Sequence, residues 1–371
     1  MKVALVHDHL TQNGGAERVL LALQAMWPQA PTFTLLYDKK KMGDVFGHKD
    51  IRTSFLQELP LSLKKPRWYL PLMPTATEGY DVSDFDVVIS SSSAFSKGVI
   101  TAPHAIHICY CHTPTRYLWS DTHSYVEELN VPRAVKTLLP PLLTRLREWD
   151  RLSADRVTHF VAYSETVARR IEKYYHRPSV VIPPPVDIDQ FAIYRRPKEY
   201  FLTGGRLVAY KRFDLVVEAF NRLGMPLKIF GNGPKEKELK KRAHGNIEFL
   251  GRVSDSERSR LFAQAKAFIH PHEEDFGITP VESMAAGRPV IAYRAGGATE
   301  TVIDGVTGTL FDVQNWQELA DTVLHFDETM FQPDVIRSHA ERFSLDVFTE
   351  RFSTFVTDAW DTHRHNVLGQ M

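Results

Sequence analysis

The sequence predicts an α/β protein of two Rossmann-like, doubly wound domains that face each other across a cleft. Three observations support this prediction. The chain has 371 residues, more than a single hydrophobic core usually serves. Short β-rich runs alternate with amphipathic stretches in both halves, which is typical of parallel sheets covered by helices. Between the halves, residues 183–189 read PPPVDID, a stiff proline cluster that suits a linker.

The first half opens with a strand, a loop and a helix. Residues 2–8 form an apolar run typical of a buried parallel strand, and residues 16–26 carry apolar side chains at helical spacing. Further strands and helices are then expected, the strands at 31–37, 84–90, 105–111 and 158–164 and the helices at 133–152 and 164–175. We therefore predict a first domain over residues 1–185.

The second half repeats the alternation. Helices are expected after Lys211, Lys235, Ser254 and Thr279, and strands at 200–207, 226–233, 246–253, 267–272 and 289–297. A last helix is expected from residue 344 to about 362. The predicted second domain spans 186–355, and the tail 356–371 is expected to pack back on the first domain. Ligands of such sheets bind beyond the carboxyl ends of the strands, where the glycines and charges of this chain fall.

Composition excludes some classes of partner. The 45 Lys and Arg residues balance the 45 Asp and Glu residues. The chain therefore has no net positive charge that would favour binding to nucleic acid. Residues 1–185 carry a net charge of +4 and the remainder −4, which hints at an anionic partner of the first half. The two cysteines, Cys109 and Cys111, are expected to be reduced and buried, and no apolar run approaches the ~20 residues of a spanning helix. We predict a cytoplasmic protein, in peripheral contact with the inner face of the membrane.

Two positions after the first strand of the second half carry positive charge. Arg206 is expected at the strand end and Lys211 near the next helix start, so both could reach one diphosphate. Their charges would offset that of a leaving phosphate, an effect often worth roughly 3 kcal/mol per group. The structural alternative is a solvated pair beside Asp214.

The stretch EEDFGITPVE, at 273–282, allows two interpretations. Thr279, Pro280 and Glu282 spell a capping box with proline at the first helical position, which explains Glu282 alone. The alternative is a ligand site in which an anion binds at the helix start and hydroxyl groups bind near the acids, Glu274 included.

Seven motifs follow one another along the chain, namely NGGAERV (13–19), YCHTPTRYLW (110–119), GGRLVAYKR (204–212), GNGP (231–234), GRVSDSE (251–257), EEDFGITPVESMAAGRPVIAY (273–293) and GGATETVIDGVTG (296–308). Together they resemble the family 4 retaining glycosyltransferases of the GT-B fold. The resemblance implies transfer of a sugar from a nucleotide donor with retained anomeric configuration. The motifs are most similar to those of bacterial polysaccharide mannosyltransferases, which favours GDP-mannose as donor.

The resemblance also implies roles for individual residues. Glu274 would contact the hydroxyls of the donor sugar and Glu282 the ribose, which is compatible with a capping role for Glu282. Asp275 departs from the family pattern, since many relatives have glycine there. The predicted catalytic residues are Glu274, His112, Arg206 and Lys211. The predicted donor-binding residues are Gly14, Gly15, Arg206, Lys211, Val253, Gly277, Ile278, Thr279 and Glu282.

In the first half, the expected site consists of a loop and a histidine. Gly14 and Gly15 would allow close backbone approach or a left-handed turn, and they resemble the family's loop over the donor diphosphate and sugar. His112 follows an apolar strand and resembles the family histidine that touches the transferred sugar. The structural alternatives are an ordinary turn and a packing histidine.

No metal and no cofactor are predicted. Asp84 and Asp86 form a D-x-D pattern but lead directly into a strand, and the histidines lack a zinc spacing. The resemblance implies a front-face reaction in which the leaving phosphate accepts the proton of the incoming hydroxyl. It also implies that GNGP and residues 252–254 hold the base, with Val253 offering backbone hydrogen bonds. The predicted partners are a nucleotide-sugar donor and a glycan or polyprenyl-linked glycan acceptor.

Several other classes of protein use a similar fold or similar residues. A dehydrogenase is disfavoured because the first βα loop lacks G-x-G-x-x-G. A glycosidase would need its two carboxylates to flank one bond. A nucleotide-sugar epimerase, a phosphorylase and an inactive nucleotide-sugar-binding protein share the scaffold and stay open alternatives.

Two basic and apolar segments of the first half are candidate acceptor-side surfaces. Residues 64–74 combine Lys64, Lys65 and Arg67 with Trp68 and other apolar residues, a composition suited to an anionic lipid surface. Prolines argue against a regular helix there, and an aromatic loop packed on its own domain is the alternative. Residues 133–149 form the second segment, with Arg133, Lys136, Arg145 and Arg147 among leucines.

Overall fold

The computed structural model describes residues 1–122 and 133–368. It divides the chain into two compact units: the first is Met1–Pro183 with Thr349–Met371, and the second is Pro184–Phe348. The change of unit at Pro183 falls in the proline cluster, two residues before the expected boundary. The second change, at Phe348, falls near the start of the last helix.

The first unit is built on a seven-stranded parallel sheet. Its strand order is β3-β2-β1-β4-β5-β6-β7, with β1 Val3–Leu10, β2 Thr32–Tyr37, β3 Ile51–Thr53, β4 Val87–Ser92, β5 Ile106–Cys111, β6 His159–Ala162 and β7 Ser179–Val181. β1 lies inside the sheet between β2 and β4, and all of its residues are buried except His9, which is partly exposed. In the register of β1 and β4, His7 lies opposite Ser91.

Helices cover this sheet, and their bounds are α1 Gly15–Met26, α2 Lys39–Phe46, α3 Met73–Glu78, α4 Arg133–Asp155 and α5 Glu165–Tyr175. Cys109 and Cys111 on β5 are buried and free, and both pack in one cluster with Val167 and Ile171 of α5. Their shared surroundings follow from the strand geometry, since residues two apart in a strand face the same side. The expectation of reduced, buried thiols is confirmed.

The second unit has a six-stranded parallel sheet in the order β10-β9-β8-β11-β12-β13, with β8 Phe201–Gly204, β9 Leu227–Phe230, β10 Ile247–Gly251, β11 Phe268–His270, β12 Val290–Tyr293 and β13 Gly308–Phe311. The helices after Pro184 are α6 Phe213–Leu223, α7 Glu236–Arg242, α8 Asp255–Gln264, α9 Ile278–Ala285, α10 Ala298–Thr301, α11 Trp316–Leu324, α12 Pro333–Glu341 and α13 Leu345–Leu368. The prediction of two parallel α/β sheets is confirmed.

The last helix, α13, belongs mainly to the first unit. The Phe352 ring packs edge-on against Trp27 and Tyr110, with ring centroids 6.1 and 5.8 Å apart. Arg351 Nη2 donates a 2.9 Å hydrogen bond to the carbonyl of Val181. Over residues 1–122 and 133–368, no helix combines the length and the apolar character that crossing a bilayer requires.

Candidate functional site

The expected site residues fall at the carboxyl ends of strands in both units, and we describe each group within its own unit. The second-unit cluster consists of Arg206, Lys211, Glu274, residues 277–279 and Glu282. The first-unit cluster consists of Gly14, Gly15 and His112.

An ion pair lies at the centre of the second-unit cluster. Lys211 ends the short turn between β8 and α6, and its Nζ lies 2.5 Å from Glu274 Oε1. The two side chains are 12% and 22% exposed, so water screens their attraction only in part. Burial opposes ionisation of the Glu274 carboxyl, but the Lys211 ammonium and His272 hold its pKa well below the usual range. A carboxylate and an ammonium group therefore stand together at the end of the sheet.

Arg206 lies on the same loop, directly after β8, and its side chain is exposed. The alternative that the two cations form a solvated pair beside Asp214 does not hold for Lys211. Asp214 pairs instead with Arg212, whose Nε lies 3.3 Å from its carboxylate. Lys211 thus forms an ion pair with Glu274, whereas the Arg206 side chain is exposed to solvent.

Two histidines beside Glu274 were not expected as site residues. His270 and His272 are 1% and 2% exposed. His272 Nε2 lies 3.4 Å from Glu274 Oε1, whereas neither ring nitrogen of His270 has a hydrogen-bond partner in the described part of the chain. One nitrogen of each ring and a Glu274 oxygen lie within 4.8 Å of one another, a donor set that could hold a metal ion. Burial lowers the pKa of both rings, which keeps them neutral. The Lys211 ammonium already neutralises the carboxylate of this set.

The loop that carries Glu274 is held by a pair of glycines. The Gly297 N–H donates a 2.7 Å hydrogen bond to the Glu274 carbonyl. A Cβ atom on Gly296 would lie 2.3 Å from that carbonyl oxygen, and one on Gly297 would lie 2.2 Å from Phe276 Cα. The loop therefore requires glycine at both positions. Asp275 does not have a positive φ. Its backbone therefore does not require the glycine that many relatives have at this position.

The prediction that Thr279 begins the helix with a capping box is wrong. Helix α9 begins at Ile278, and its N-cap is Gly277, with φ of 89° and no side-chain cap. The left-handed glycine turns the chain into the helix before Thr279 is reached. Pro280 is then the third helical residue, where the helix needs no N–H from it. The N–H groups of Ile278 and Thr279 have no partners inside the helix, so this end can bind an anion.

Glu282 lies deeper in the protein than the sequence suggested. Its side chain is 2% exposed, and its Oε1 lies 3.5 Å from Nη2 of Arg258 on α8. Ser254 caps α8 by accepting a hydrogen bond from the Glu257 N–H, and Val253 precedes this cap. Arg258 therefore connects Glu282 to the segment that was expected to hold the base. Sequence reasoning missed Arg258 because nothing in its local pattern distinguishes it from the other charges of α8.

The glycines of the first-unit cluster begin helix α1. Gly14 has φ of −138°, an extended conformation, so the alternative of a left-handed turn is excluded there. Its N–H donates a 2.9 Å hydrogen bond to Glu17 Oε2. Gly15 is the first residue of α1. The N-terminal turn is therefore tied to the side chain of Glu17.

His112 directly follows β5 and is 7% exposed. Its Nε2 lies 2.8 Å from Ser91 Oγ, and its ring packs edge-on against Tyr110 and Tyr163, with ring centroids 5.3 and 5.4 Å away. Burial is the main cause that lowers the pKa of His112 to about 3. The ring is therefore neutral at physiological pH and can donate or accept a hydrogen bond.

Two protein-family models match adjoining parts of the chain. The model described as Glycosyltransferase Family 4 matches residues 13–190, and the model described as Glycosyl transferases group 1 matches residues 187–329. The first covers most of the first unit and the second covers most of the second unit. Both clusters lie within the matched residues.

Curated relatives are similar over parts of the chain. A GDP-mannose-dependent alpha-mannosyltransferase of Corynebacterium glutamicum is 34% identical over 115 residues, which is 31% of this chain and 28% of that protein. An alpha-1,3/1,6-mannosyltransferase of Schizosaccharomyces pombe is 23% identical over 95% of this chain and 80% of its own length. The chain spans only 36%, 27% and 28% of the first three curated relatives that it matches.

Solved structures share the fold. The Anabaena protein HepE, crystallised with UDP, superposes with a TM-score of 0.73 at 18% identity, over 96% of this chain and all of that one. A likeness at this identity shows the fold alone. The two parallel α/β units thus form the GT-B fold.

Proposed function

We propose that this chain is a family 4 glycosyltransferase, as its matches to two glycosyltransferase family models over residues 13–190 and 187–329 support. On that basis we propose that it transfers mannose from GDP-mannose to a glycan or polyprenyl-linked glycan with retained anomeric configuration. The observation that carries the proposal is the ion pair between Lys211, in the turn after β8, and Glu274, in the loop that leads to α9. Two loops of the second unit thus bring together a cation for phosphate, a carboxylate for sugar hydroxyls and a helix start for an anion.

The donor would be bound through its diphosphate and its sugar. We assign the diphosphate to Lys211, Arg206 and the N–H groups of Ile278 and Thr279, because all of these carry full or partial positive charge. Glu274 remains ionised and accepts hydrogen bonds from sugar hydroxyls, as its lowered pKa supports. Lys211 would then exchange part of its contact with Glu274 for the phosphate.

The reaction breaks one bond and forms another at the anomeric carbon. The bond from C1 of the sugar to the diphosphate oxygen breaks, and the electron pair leaves with the diphosphate. The acceptor hydroxyl oxygen bonds to C1 on the same face, and its proton passes to the leaving phosphate oxygen. Lys211, Arg206 and the start of α9 stabilise the charge that develops on the diphosphate, a contribution of roughly 3 kcal/mol per group. We assign His112 to a hydroxyl of the transferred sugar.

The choice of donor rests on the relatives and on the base end of the second-unit cluster. The C. glutamicum relative is named for GDP-mannose, whereas the HepE structure contains UDP. We assign the ribose to Glu282, held by Arg258, and the base to the backbone of Val253. The larger guanine ring offers more hydrogen-bonding edge to this segment than uracil does.

A donor screen tests the proposal. The full chain is incubated with GDP-mannose, UDP-glucose and ADP-glucose, with and without polyprenyl-linked glycan acceptors, and released nucleotide and product are measured. We expect GDP release from GDP-mannose that rises with acceptor, and an α-linked product by NMR. Conversion of the donor alone to another sugar nucleotide would indicate an epimerase, and a need for free phosphate would indicate a phosphorylase. Binding of GDP without turnover on any acceptor would indicate an inactive binding protein.

The segment 64–74 of the first unit is the candidate surface for the acceptor side. The segment 64–74 divides between surface and core: the Trp68 side chain is 64% exposed, whereas Leu70 and Met73 are buried. Lys65 Nζ lies 4.0 Å from the centroid of the Trp68 ring, so charge and aromatic surface occur together. We propose that Lys64, Lys65, Arg67 and Trp68 contact an anionic membrane on the cytoplasmic side and bring a polyprenyl-linked acceptor within reach.

The second basic segment contributes less to this surface. Of the cations expected there, Arg145 is exposed, whereas Arg147 Nε donates a 2.6 Å hydrogen bond to the Leu118 carbonyl. The side chain of Arg133 lies outside the described residues. We therefore assign the membrane contact to the 64–68 part of the first unit.

A further inference from the structure

A chain of hydrogen-bonding side chains crosses the carboxyl ends of β1, β4 and β5. Ser91 Oγ lies 2.8 Å from His112 Nε2 and 3.1 Å from His7 Nδ1. The other ring nitrogen of His7, Nε2, lies 3.9 Å from Glu17 Oε1. These four side chains are between 0% and 7% exposed, so water competes little for their hydrogen bonds.

The directions of the hydrogen bonds in this group of four side chains follow from counting their polar hydrogens. A serine hydroxyl has one hydrogen, and a neutral imidazole has one N–H and one acceptor nitrogen. When His7 is neutral, the Glu17 carboxylate 3.9 Å away attracts its ring hydrogen to Nε2, because a carboxylate only accepts. His7 Nδ1 is then an acceptor and takes the Ser91 hydrogen. Because Ser91 Oγ must in turn accept, the hydrogen of His112 lies on Nε2.

We propose that His7 and Ser91 are positioning residues that hold His112 as the Nε2–H tautomer. His112 then presents Nδ1 as a hydrogen-bond acceptor for a hydroxyl of the sugar. This inference rests on the proposed function, since it deepens the role given to His112 there. The Glu17 carboxylate that orients His7 also accepts the Gly14 N–H, so one network holds the glycine turn and the histidine.

A neighbouring pair shows what a purely structural contact of this kind is. Ser90 precedes Ser91 on β4 and therefore faces the other side of the sheet. Its Oγ lies 2.8 Å from Nε2 of His107, and both side chains are fully buried. His107 lies near the start of β5, away from the end where His112 follows the strand. Ser90→Ala thus removes the same type of bond at the same distance and serves as the matched control.

The tautomer of His112 can be read directly in the free, full-length protein. Ring ¹⁵N chemical shifts of histidine-labelled protein distinguish the tautomers, and the His112 signals are identified by their loss in His112→Gln. We expect the Nε2–H form in the wild type, a mixture of tautomers in Ser91→Ala, and the wild-type form in Ser91→Thr and Ser90→Ala. The Nδ1–H form in the wild type, or an unchanged His112 in Ser91→Ala, would overturn the assignment.

Kinetics with GDP-mannose supply the second readout. We expect Ser91→Ala to lower kcat/KM about tenfold relative to Ser90→Ala, the effect of one lost hydrogen bond, and Ser91→Thr to restore most of it. Equal losses in the two alanine variants would reduce Ser91 to a structural role and overturn the inference. If the wild type turns over no donor, the proposed function fails, whereas the NMR measurement still decides the tautomer.

Discussion

The two units hold their candidate site residues by different means. In the first unit the residues are neutral or hydrogen-bonded, as in the contact of His112 with Ser91. In the second unit they are paired ions, as in Lys211 with Glu274 and Arg258 with Glu282. A network of neutral groups suits a neutral ligand such as a sugar hydroxyl, whereas paired ions can exchange partners with a charged diphosphate. This difference supports our proposal that the second unit binds the charged diphosphate of the donor.

Backbone support differs in the same way. In the first unit, Asp8 accepts four backbone hydrogen bonds of 2.7–2.9 Å from residues 93–96 and so fixes the turn after β4. In the second unit, the corresponding turn before α9 is fixed by glycine contacts at Gly296 and Gly297. A buried carboxylate makes the first turn sensitive to pH, whereas the glycine contacts carry no titratable group.

The largest expected effect is on turnover. Lys211→Met removes the cation that would stabilise the leaving diphosphate, and we expect turnover to fall about 100- to 1,000-fold, or roughly 3–4 kcal/mol. Glu274→Ala should lower turnover by a comparable factor, because the sugar hydroxyls would lose the carboxylate that accepts their hydrogen bonds. Nucleotide release from GDP-mannose measures both, and thermal unfolding shows that the fold is retained.

A surface ion pair of the same unit provides the control. Lys228 and Glu248 lie 2.6 Å apart on neighbouring strands, and their side chains are 29% and 57% exposed. Lys228→Met and Glu248→Ala should leave turnover close to the wild type. If the Lys211 and Glu274 variants behaved like these controls, the second-unit cluster would have no role in transfer.

The next effect is on membrane binding by the first unit. Replacing Lys64, Lys65 and Arg67 by glutamine should weaken binding to vesicles containing phosphatidylglycerol at low salt, because each basic residue contributes ~1 kcal/mol near an anionic surface. Cosedimentation with anionic and neutral vesicles measures the change. The matched control replaces the exposed Lys39, Lys40 and Lys41 on α2, which removes equal charge from the same unit.

Equal loss in the two triple variants would mean that net charge alone drives binding. Absence of binding by the wild type would favour an acceptor that is free in solution. Binding that depends on residues 64–67 alone would support the proposed contact.

The sequence predicted the inner strands of both sheets and missed short strands at their edges for a physical reason. Strands such as β1 and β5 are buried on both faces, and most of their residues are apolar. β3 and β7 are three-residue edge strands, each paired with one neighbour, whereas the equally short β11 lies inside its sheet and was predicted.

The candidate site was predictable where its residues share one segment. Glu274 and Gly277 lie in one motif, and Lys211 follows a glycine-rich strand end. Ser91 and Arg258 could not be found this way, because each meets its partner only through the fold, 21 and 24 residues away along the chain. The prediction of a capping box was wrong because the positive φ of Gly277 determines where α9 begins. The pattern T-x-x-E contains no information about that angle.

A smaller effect is expected on the stability of the first unit. Asp8→Asn should lower the free energy of unfolding by about 2 kcal/mol, because hydrogen bonds to a buried charged acceptor are among the stronger ones. Urea denaturation measures the loss. The control is Asp81→Asn, since Asp81 accepts from the N–H and the hydroxyl of Ser83 at an exposed position and should change stability little.

The stabilising effect of Asp8 should depend on pH. Burial works against ionisation, yet the charges of His9 and His7 and the N–H groups of the turn lower the pKa of Asp8 below its ordinary 3.8. A lowered carboxyl pKa stabilises the fold above the unfolded value and loses this effect as pH falls through the folded value. The difference between wild type and Asp8→Asn should therefore be full at neutral pH and shrink only below about pH 4. A difference that is constant down to pH 2 would contradict this account.

The smallest expected effect separates ribose binding from helix capping at Glu282. Helix α9 has Gly277 as its N-cap, and the buried Glu282 has Arg258 as a charged partner. Arg258→Ala should lower the affinity for GDP about tenfold, since Glu282 would lose the guanidinium that orients it. Arg260→Ala, at an exposed position two residues further along α8, is the control and should bind GDP normally. Titration calorimetry with GDP measures both variants, and equal affinities would remove Arg258 and Glu282 from the nucleotide site.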